Sequence, residues 1–141
     1  MKKKVTPVTV NLTTVITQEG QTERFSFTED GQFVELNGKY YLRYTEHQEG
    51  QATPVRFRFE EPLMWLQRSG VVETNLEFDL TKSTRMRYQT AYGTIILDVA
   101  TTELVQELDV DRPAGQVRVS YQLKNAGIVV GTYQLELQFA A

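Results

Sequence analysis

Apolar and polar residues alternate along most of this chain with a period of two, the spacing that places side chains on opposite faces of a β-strand. In the stretch VRFRF, Val55, Phe57 and Phe59 share one face, while Arg56 and Arg58 share the other. Comparable runs recur along the whole sequence, and no window carries the helical stripe of an amphipathic helix. The pattern therefore predicts an all-β protein.

Short turn sequences, each containing a glycine, separate these runs. Glycine supplies the positive φ that tight hairpins need. The turn sequences are Glu19-Gly20, Asp30-Gly31, Asn37-Gly38, Glu49-Gly50, Ser69-Gly70, Tyr92-Gly93, Pro113 to Gly115 and Asn125 to Gly127. Short strands at this spacing, apolar on one face, predict an antiparallel meander. A short helical turn is expected only in the segment from Thr101 to Asp111.

A sheet of about eight to ten such strands twists and curls, and closing it into a barrel removes its exposed edges. The length of 141 residues suits one domain with a real core. We therefore predict a single antiparallel up-and-down β-barrel over residues 1–141, with a basic N-terminal tail at residues 1–4. A sandwich of two sheets is the competing arrangement.

Two hairpins allow the register of the strands to be predicted. A turn centred on Glu49-Gly50 pairs Leu42 with Phe57, Tyr44 with Val55 and Glu46 with Thr53. A turn centred on Tyr92-Gly93 pairs Met86 with Val99, Tyr88 with Leu97, Thr90 with Ile95 and, on the outside, Arg87 with Asp98. In both hairpins inward residues meet inward residues, which supports the up-and-down arrangement.

Composition and charge narrow the functional classes. The net charge of −3 argues against a dedicated nucleic-acid binder. The chain has no cysteine, which excludes disulfides, thiolate nucleophiles and sulfur-ligated metals. Residues 1–4 are basic, but no continuous apolar run long enough for a signal peptide or a membrane helix follows them. A soluble cytoplasmic protein without a membrane partner is expected.

One inward-facing row ends in a carboxylate: Tyr40, Leu42, Tyr44 and Glu46 share a face in the stretch NGKYYLRYTEHQEG. Burying an ionised carboxylate without a partner is so costly that it becomes paired or protonated instead. Glu46 then either stays partly hydrated at the barrel rim, capping Thr53, or serves as a polar anchor at the mouth of an internal cavity.

Arg68 is the most attractive partner for Glu46, but its direction depends on the length of the following loop. A two-residue turn at Ser69-Gly70 directs Leu63 and Trp65 inward and Arg68 outward. A loop one residue longer directs Met64 and Leu66 inward and lets Arg68 reach the interior rim, because a one-residue slip reverses every side chain.

Five tyrosines fall on inward faces, where a buried hydroxyl needs a hydrogen-bond partner: Tyr40, Tyr44, Tyr88, Tyr121 and Tyr133. Plain core packing accounts for them, since small barrels are filled by their own side chains. The functional alternative is a polar-lined cavity for a small amphipathic or apolar molecule. Its candidate lining residues are Tyr44, Glu46, Arg68, Tyr88, Thr90 and Tyr121.

The outer face carries a second candidate site, formed by Tyr41, Arg43, Arg56 and Arg58. The predicted register places Arg43 directly opposite Arg56, and it places Tyr41 opposite Arg58 with a possible cation–π contact. Such a patch suits an acidic protein or RNA. The ordinary explanation is a solvated face balanced by glutamates on neighbouring strands, such as Glu35 or Glu73.

No enzyme motif stands out in the sequence. His47 is the only histidine and lies in a polar turn, without a serine or cysteine motif that would make it a catalytic base. The carboxylates show no metal-ligand spacing, and there is no phosphate loop. We therefore expect a non-enzymatic protein without catalytic residues, metal or cofactor.

Several motifs together resemble one known family. They are YLRYTE (Tyr41–Glu46), QRSG (Gln67–Gly70), YQTAYGTIILDVATT (Tyr88–Thr102) and SYQL (Ser120–Leu123). In order and spacing they resemble the YwiB-like family of uncharacterised bacterial β-barrel proteins, from about Val5 to Phe139. The resemblance implies a cytoplasmic calycin-like barrel, related in architecture to lipocalins. It brings no activity, cofactor or catalytic residue.

Overall fold

The computed structural model describes residues 3–70 and 73–141, and this part of the chain folds into ten β-strands without a helix. The strands are β1 (Lys3–Gln18), β2 (Gln21–Leu36), β3 (Lys39–Gln48), β4 (Gln51–Glu60), β5 (Leu63–Ser69), β6 (Glu73–Phe78), β7 (Thr84–Thr90), β8 (Gly93–Asp109), β9 (Ala114–Asn125) and β10 (Ile128–Ala140). The prediction of an all-β protein with about eight to ten strands is confirmed.

All ten strands belong to one antiparallel sheet with the order β6-β5-β4-β3-β2-β1-β10-β9-β8-β7. Chain neighbours are paired throughout this order, apart from β1 with β10, where Thr9 lies opposite Ala140. The edge strands β6 and β7 come together as the sheet curls, and the Thr84 hydroxyl donates a 2.6 Å hydrogen bond to the Glu77 carbonyl. The result is a nearly closed up-and-down barrel rather than a sandwich.

The inward-facing apolar side chains fill the barrel. The largest fully buried ones are Phe57, Phe78, Leu12, Leu42, Met64, Leu66, Leu135, Leu137, Val10, Val99, Val117 and Val119. Burying each such side chain contributes about 1.5–3 kcal/mol relative to leaving it exposed. Phe33, Phe59 and Phe139 stack in series at one end of this core, with ring centroids 5.2 and 6.1 Å apart. The predicted division into inward and outward faces is therefore correct for the strands where one was predicted, and β5, whose direction the sequence left open, directs Met64 and Leu66 inward.

Two-residue hairpin turns explain why the glycine dipeptides recur. At Glu19-Gly20, Asn37-Gly38, Glu49-Gly50 and Ala126-Gly127 both residues have positive φ, the conformation of type I′ turns, whose twist matches that of the flanking strands. The prediction of a turn at Asp30-Gly31 is wrong, since Gly31 lies inside the 16-residue strand β2. A Cβ atom at Gly31 would lie 2.8 Å from Val10 Cγ2 and 2.9 Å from the Arg43 carbonyl oxygen. Glycine is required there by the close approach of neighbouring strands.

The β7–β8 hairpin differs from its predicted register by two residues. Its turn is centred on Ala91-Tyr92, so Thr90 pairs with Gly93 and Tyr88 with Ile95. Asp98 consequently lies opposite Arg85 instead of Arg87. A shift of two residues preserves the face of every side chain, which is why the inward and outward assignments survive the error.

Two further predictions need correction. The segment from Thr101 to Asp111 contains no helical turn: β8 continues through it to Asp109, with a bulge between Thr101 and Glu103 that keeps the inward face in register with β9. The basic tail predicted at residues 1–4 does not include Lys3 and Lys4, because both belong to β1 and pair with Leu36 and Glu35 of β2. Residues 1 and 2 lie outside the described residues.

Candidate functional site

Glu46 and Arg68 lie near one end of the barrel, which we call the mouth. The turns Glu19-Gly20, Glu49-Gly50 and Ala126-Gly127 stand at this end. Here the interior is less completely filled than at the opposite end. Phe25 and Phe27 lie in register with inward-facing residues of β1, yet both are only half-buried. The mouth therefore offers partly accessible apolar surface on its inner wall.

A charged pair is set into the lining of the mouth. The Glu46 side chain is only 5% exposed and forms a salt bridge with Arg68, whose side chain is 28% exposed. The Tyr44 hydroxyl donates a 2.9 Å hydrogen bond to the other Glu46 carboxylate oxygen. Glu46 is thus neither a wet rim residue nor a cap on Thr53, although Thr53 does lie opposite it in the sheet as predicted. It is a buried carboxylate with two partners.

The loop after β5 is the longer of the two alternatives. Ser69 pairs with Glu73, so the connection exceeds two residues, and Met64 and Leu66 are buried. This register places Arg68 opposite Val55 on the inward side and brings its guanidinium to Glu46. The predicted inward position of Val72 lies outside the described residues.

Tyrosines surround the charged pair on several strands. Burial, reinforced by the Glu46 charge, raises the pKa of Tyr44 far above that of a free tyrosine, although Arg68 works in the opposite direction. Burial likewise raises the pKa of Tyr121, and Arg68 again opposes the increase.

Tyr121 and Tyr133 stack with nearly parallel rings at 4.9 Å, and Gln18 Nε2 donates a 3.0 Å hydrogen bond to the Tyr133 hydroxyl. Tyr88 does not line an enclosed interior as predicted, because it is 38% exposed. It occupies the inward side of β7 but lies beyond the buried Met86, close to the tip of a hairpin on the sheet edge. The side chain of Thr90 lies outside the described residues. The structure therefore brings Tyr44, Glu46 and Arg68 together, buries Tyr121 against the rings of Phe78 and Tyr133, and leaves Tyr88 at the rim.

Two features of the mouth were missed by sequence reasoning. The Thr101 hydroxyl, directly opposite Tyr121, is buried and makes no hydrogen bond to the described residues. Glu29 accepts hydrogen bonds from the backbone N–H and Nδ1 of His47, at 3.1 and 2.7 Å. His47 thus has a partner on β2, at a point where β2 and β3 are no longer paired. From the sequence, alternation indicated only that Thr101 and Glu29 occupy inward-facing positions of their strands.

The outer candidate site is arranged largely as the register predicts, with Arg43 opposite Arg56 and Tyr41 opposite Arg58. The cation–π contacts differ from the prediction: Arg58 stacks over Trp65 at 4.6 Å, while Arg56 lies 6.0 Å from the Tyr41 ring. Arg58 also forms a 2.7 Å salt bridge with Glu60. Of the three arginines, Arg58 therefore has its charge balanced by a direct neighbour.

The distribution of histidine and carboxylate side chains bears on metal binding. Within residues 3–70 and 73–141, no three histidine or carboxylate side chains lie close enough together to hold a metal ion. The same ranges contain no helix that could span a membrane.

The fold and the mouth define a class of protein: a ten-stranded up-and-down β-barrel with a charged pair set in its lining. A family model described as "Domain of unknown function (DUF1934)" matches residues 10–137, and the chain belongs to this family. It is 26% identical over 121 residues to the "Uncharacterized beta-barrel protein YwiB" of Bacillus subtilis (strain 168), covering 86% of this chain and 84% of YwiB.

The crystal structure of the ywiB protein from Bacillus subtilis has the same fold. It matches with a TM-score of 0.82 at 23% sequence identity, over 97% of this chain and 92% of that one. The resemblance drawn from the sequence motifs is confirmed by these comparisons.

Proposed function

We propose that this protein binds a small amphipathic molecule at the mouth of the barrel, without catalysing a reaction. The observation that carries the proposal is the Glu46–Arg68 pair, which is set into an apolar lining while Arg68 remains 28% exposed. Arg68 would hold the polar end of the ligand, and the half-buried inner wall would hold its apolar body.

The energetics of the pair support this proposal. Removing two charges from water carries a desolvation cost that an ion pair recovers only with very good geometry, so hydrophobic residues of similar volume are often at least as stabilising. The stability of the barrel therefore does not account for the pair. A guanidinium has five N–H donors, and the described contacts of Arg68 use one donor nitrogen, Nη1, toward Glu46. Its remaining donors are suited to a ligand.

Packing limits where a ligand can lie. The buried side chains of Leu42, Phe57 and Leu137 occupy the middle of the barrel, so a deep internal position would require them to move. Phe25 and Phe27 are only half-buried on the inner wall of the mouth. A ligand lying against them, with its polar end at Arg68, needs no rearrangement of the core.

The compartment and the wider class are parts of the same proposal. A chain without cysteine suits the reducing cytoplasm. Calycins, including lipocalins, provide an architectural analogy for ligand binding in a barrel. Because one fold can host many functions, the charged pair, and not this analogy, is the support for ligand binding at the mouth.

Energy transfer from tryptophan to dansyl-undecanoic acid tests the proposal. Trp65 is the only tryptophan and lies on β5, the strand that carries Arg68. We expect saturable one-to-one transfer in the wild type and about tenfold weaker binding in Arg68→Met, in line with the loss of a charge-assisted hydrogen bond. Arg118→Gln, which changes an exposed arginine on β9, is the control and should bind normally.

Two results would count against the proposal: transfer that does not saturate, or equal affinities of the wild type and Arg68→Met. Native mass spectrometry of protein purified from its own host gives an independent test. Repeated absence of any bound small molecule in that measurement would also contradict ligand binding at the mouth.

A further inference from the structure

Four side chains form a continuous row across the outer face of β2 to β5. Their order follows the register: Gln32 lies opposite Arg43, Arg43 opposite Arg56, and Arg56 opposite Gln67. Arg43 Nε donates a 2.7 Å hydrogen bond to Gln32 Oε1, and Arg56 Nη2 donates a 2.7 Å hydrogen bond to Gln67 Oε1. Each arginine is thus held by a glutamine on the side that faces away from the other arginine.

The charges of Arg43 and Arg56 are not balanced by these anchors. Glutamine is neutral, and no salt bridge joins either arginine to a carboxylate within residues 3–70 and 73–141. Like charges directly opposite each other destabilise a sheet. The charge of Arg58, two residues further along β4, is balanced in the usual way, because Arg58 forms a 2.7 Å salt bridge with Glu60. An anion placed between Arg43 and Arg56 would relieve the repulsion that the protein leaves in place.

The row lies in a groove with a volume of about 1070 Å³. Arg43, Arg56, Gln32 and Gln67 line this groove, and the side chains of Thr9, Thr45 and Ser69 lie among the other lining residues. Hydroxyl groups can donate to an anion's oxygens in addition to the guanidinium forks. The groove is therefore positively charged where Arg43 and Arg56 line it, and its lining also contains hydroxyl groups that can form hydrogen bonds.

We propose that Arg43 and Arg56 together bind a phosphate group in this groove. Phosphate carries up to two negative charges and presents several acceptor oxygens, so it can satisfy two guanidinium forks at once, whereas a single carboxylate has one charge and two oxygens. A terminal phosphate on a small molecule can supply both charges, whereas an RNA phosphodiester carries one charge and two free oxygens, so the two arginines favour a small phosphorylated molecule over an RNA backbone. Glu29 and Asp30 also line the groove and repel an anion that extends toward them, which confines the bound group to the arginine end.

Titration with inorganic phosphate, followed by the arginine Nε–Hε signals in NMR spectra, tests this site. Ionic strength is held constant with sodium chloride, because screening alone alters exposed charges. In the wild type, we expect saturable shifts of the Arg43 and Arg56 signals. In Arg43→Gln the remaining arginine signal should show about tenfold weaker phosphate binding, as expected for the loss of one charge-assisted contact.

Thermal unfolding provides a second measurement that does not depend on the signals of the mutated residue. Without phosphate, Arg43→Gln should be at least as stable as the wild type, because it removes a like-charge pair. Phosphate should raise the Tm of the wild type and of Arg118→Gln, but it should have little effect on Arg43→Gln. A site built only for stability would instead make Arg43→Gln less stable in the absence of phosphate.

Four competing compounds, compared with one another, identify the source of the bound group. Tighter binding of uridine monophosphate than of uridine supports a small phosphorylated molecule, and still tighter binding of a single-stranded uridine oligomer supports RNA. Preferential binding of a glutamate hexapeptide over all phosphate compounds would overturn the proposal in favour of an acidic protein. So would chloride shifts equal to those of phosphate, or an equal loss of phosphate binding in Arg118→Gln.

Discussion

Replacing Arg68 by methionine should destabilise the barrel more than replacing Glu46 by glutamine. The Glu46 side chain is 5% exposed and that of Arg68 28% exposed, so an unpaired arginine can turn toward water while an unpaired glutamate cannot. Removing one partner of a buried ion pair costs about 3–5 kcal/mol when the other charge stays buried. We expect a loss of about 3 kcal/mol for Arg68→Met and about 1 kcal/mol for Glu46→Gln, where a hydrogen bond to a charged group is lost.

Urea unfolding at pH 7 of the wild type, both single variants and the double variant measures these losses as a double-mutant cycle. The double variant Glu46→Gln/Arg68→Met leaves no stranded charge, so we expect it to lose less than the sum of the two single losses, with a coupling energy of about 2 kcal/mol.

Two outcomes would refute this reasoning. If the two single losses add to within about 0.5 kcal/mol, the residues are not energetically coupled. If Glu46→Gln costs as much as Arg68→Met at neutral pH, the difference in exposure between the two side chains does not control which charge is stranded. Either result would mean that the pair behaves as an exposed salt bridge at the rim. The proposal for a ligand at the mouth would then lose its main support.

Three further predictions concern the core, a buried hydroxyl and a glycine. Phe57→Ala should lower the free energy of unfolding by about 3–5 kcal/mol, because Phe57 is fully buried; a loss below about 1 kcal/mol in urea titrations would contradict the packing. Tyr44→Phe should cost about 1 kcal/mol through the lost hydrogen bond to Glu46. Burial, together with Glu46, raises the pKa of Tyr44. The stability that comes from this raised pKa is complete below about pH 10 and is lost as the pH rises further. The free energy of unfolding of Tyr44→Phe should therefore fall less than that of the wild type above about pH 10. Gly31→Ala should cost about 1–3 kcal/mol because its Cβ would lie 2.8 Å from Val10 Cγ2, and an unchanged Tm would show that the neighbouring strands yield.

Alternation predicted the faces of the strands well because side-chain direction depends only on whether a position is odd or even. It could not fix which residues are partners, since a shift of two positions leaves every face unchanged. The β7–β8 hairpin is the example: Tyr88 kept its face but pairs with Ile95 instead of Leu97. The prediction of a turn at Gly31 failed for a different reason. Glycine occurs both in tight turns and where strands approach closely, and the presence of a glycine does not distinguish the two.

The candidate sites depended on contacts between strands that are distant in sequence. The direction of Arg68 followed from the length of one loop, which alternation cannot supply. Arg58 has Tyr41 on one side and Trp65 on the other, and alternation alone provides no reason to prefer the stacking on Trp65 that the structure shows. The contact between Glu29 and His47 joins strands that are no longer paired there, so no register could have revealed it.

The unpaired edges of the sheet, β6 and β7, suggest a circular permutation of the chain. β6 and β7 are sequence neighbours at the two edges of the sheet, while β1 and β10, far apart in sequence, are paired in its middle. A circular permutant that links residue 141 to residue 3 and opens the chain between Leu80 and Lys82 would run β7-β8-β9-β10-β1-β2-β3-β4-β5-β6. Every pair in its sheet would then join consecutive strands. Because contacts that are local in sequence speed folding, this rearranged chain should reach the same barrel faster than the natural one.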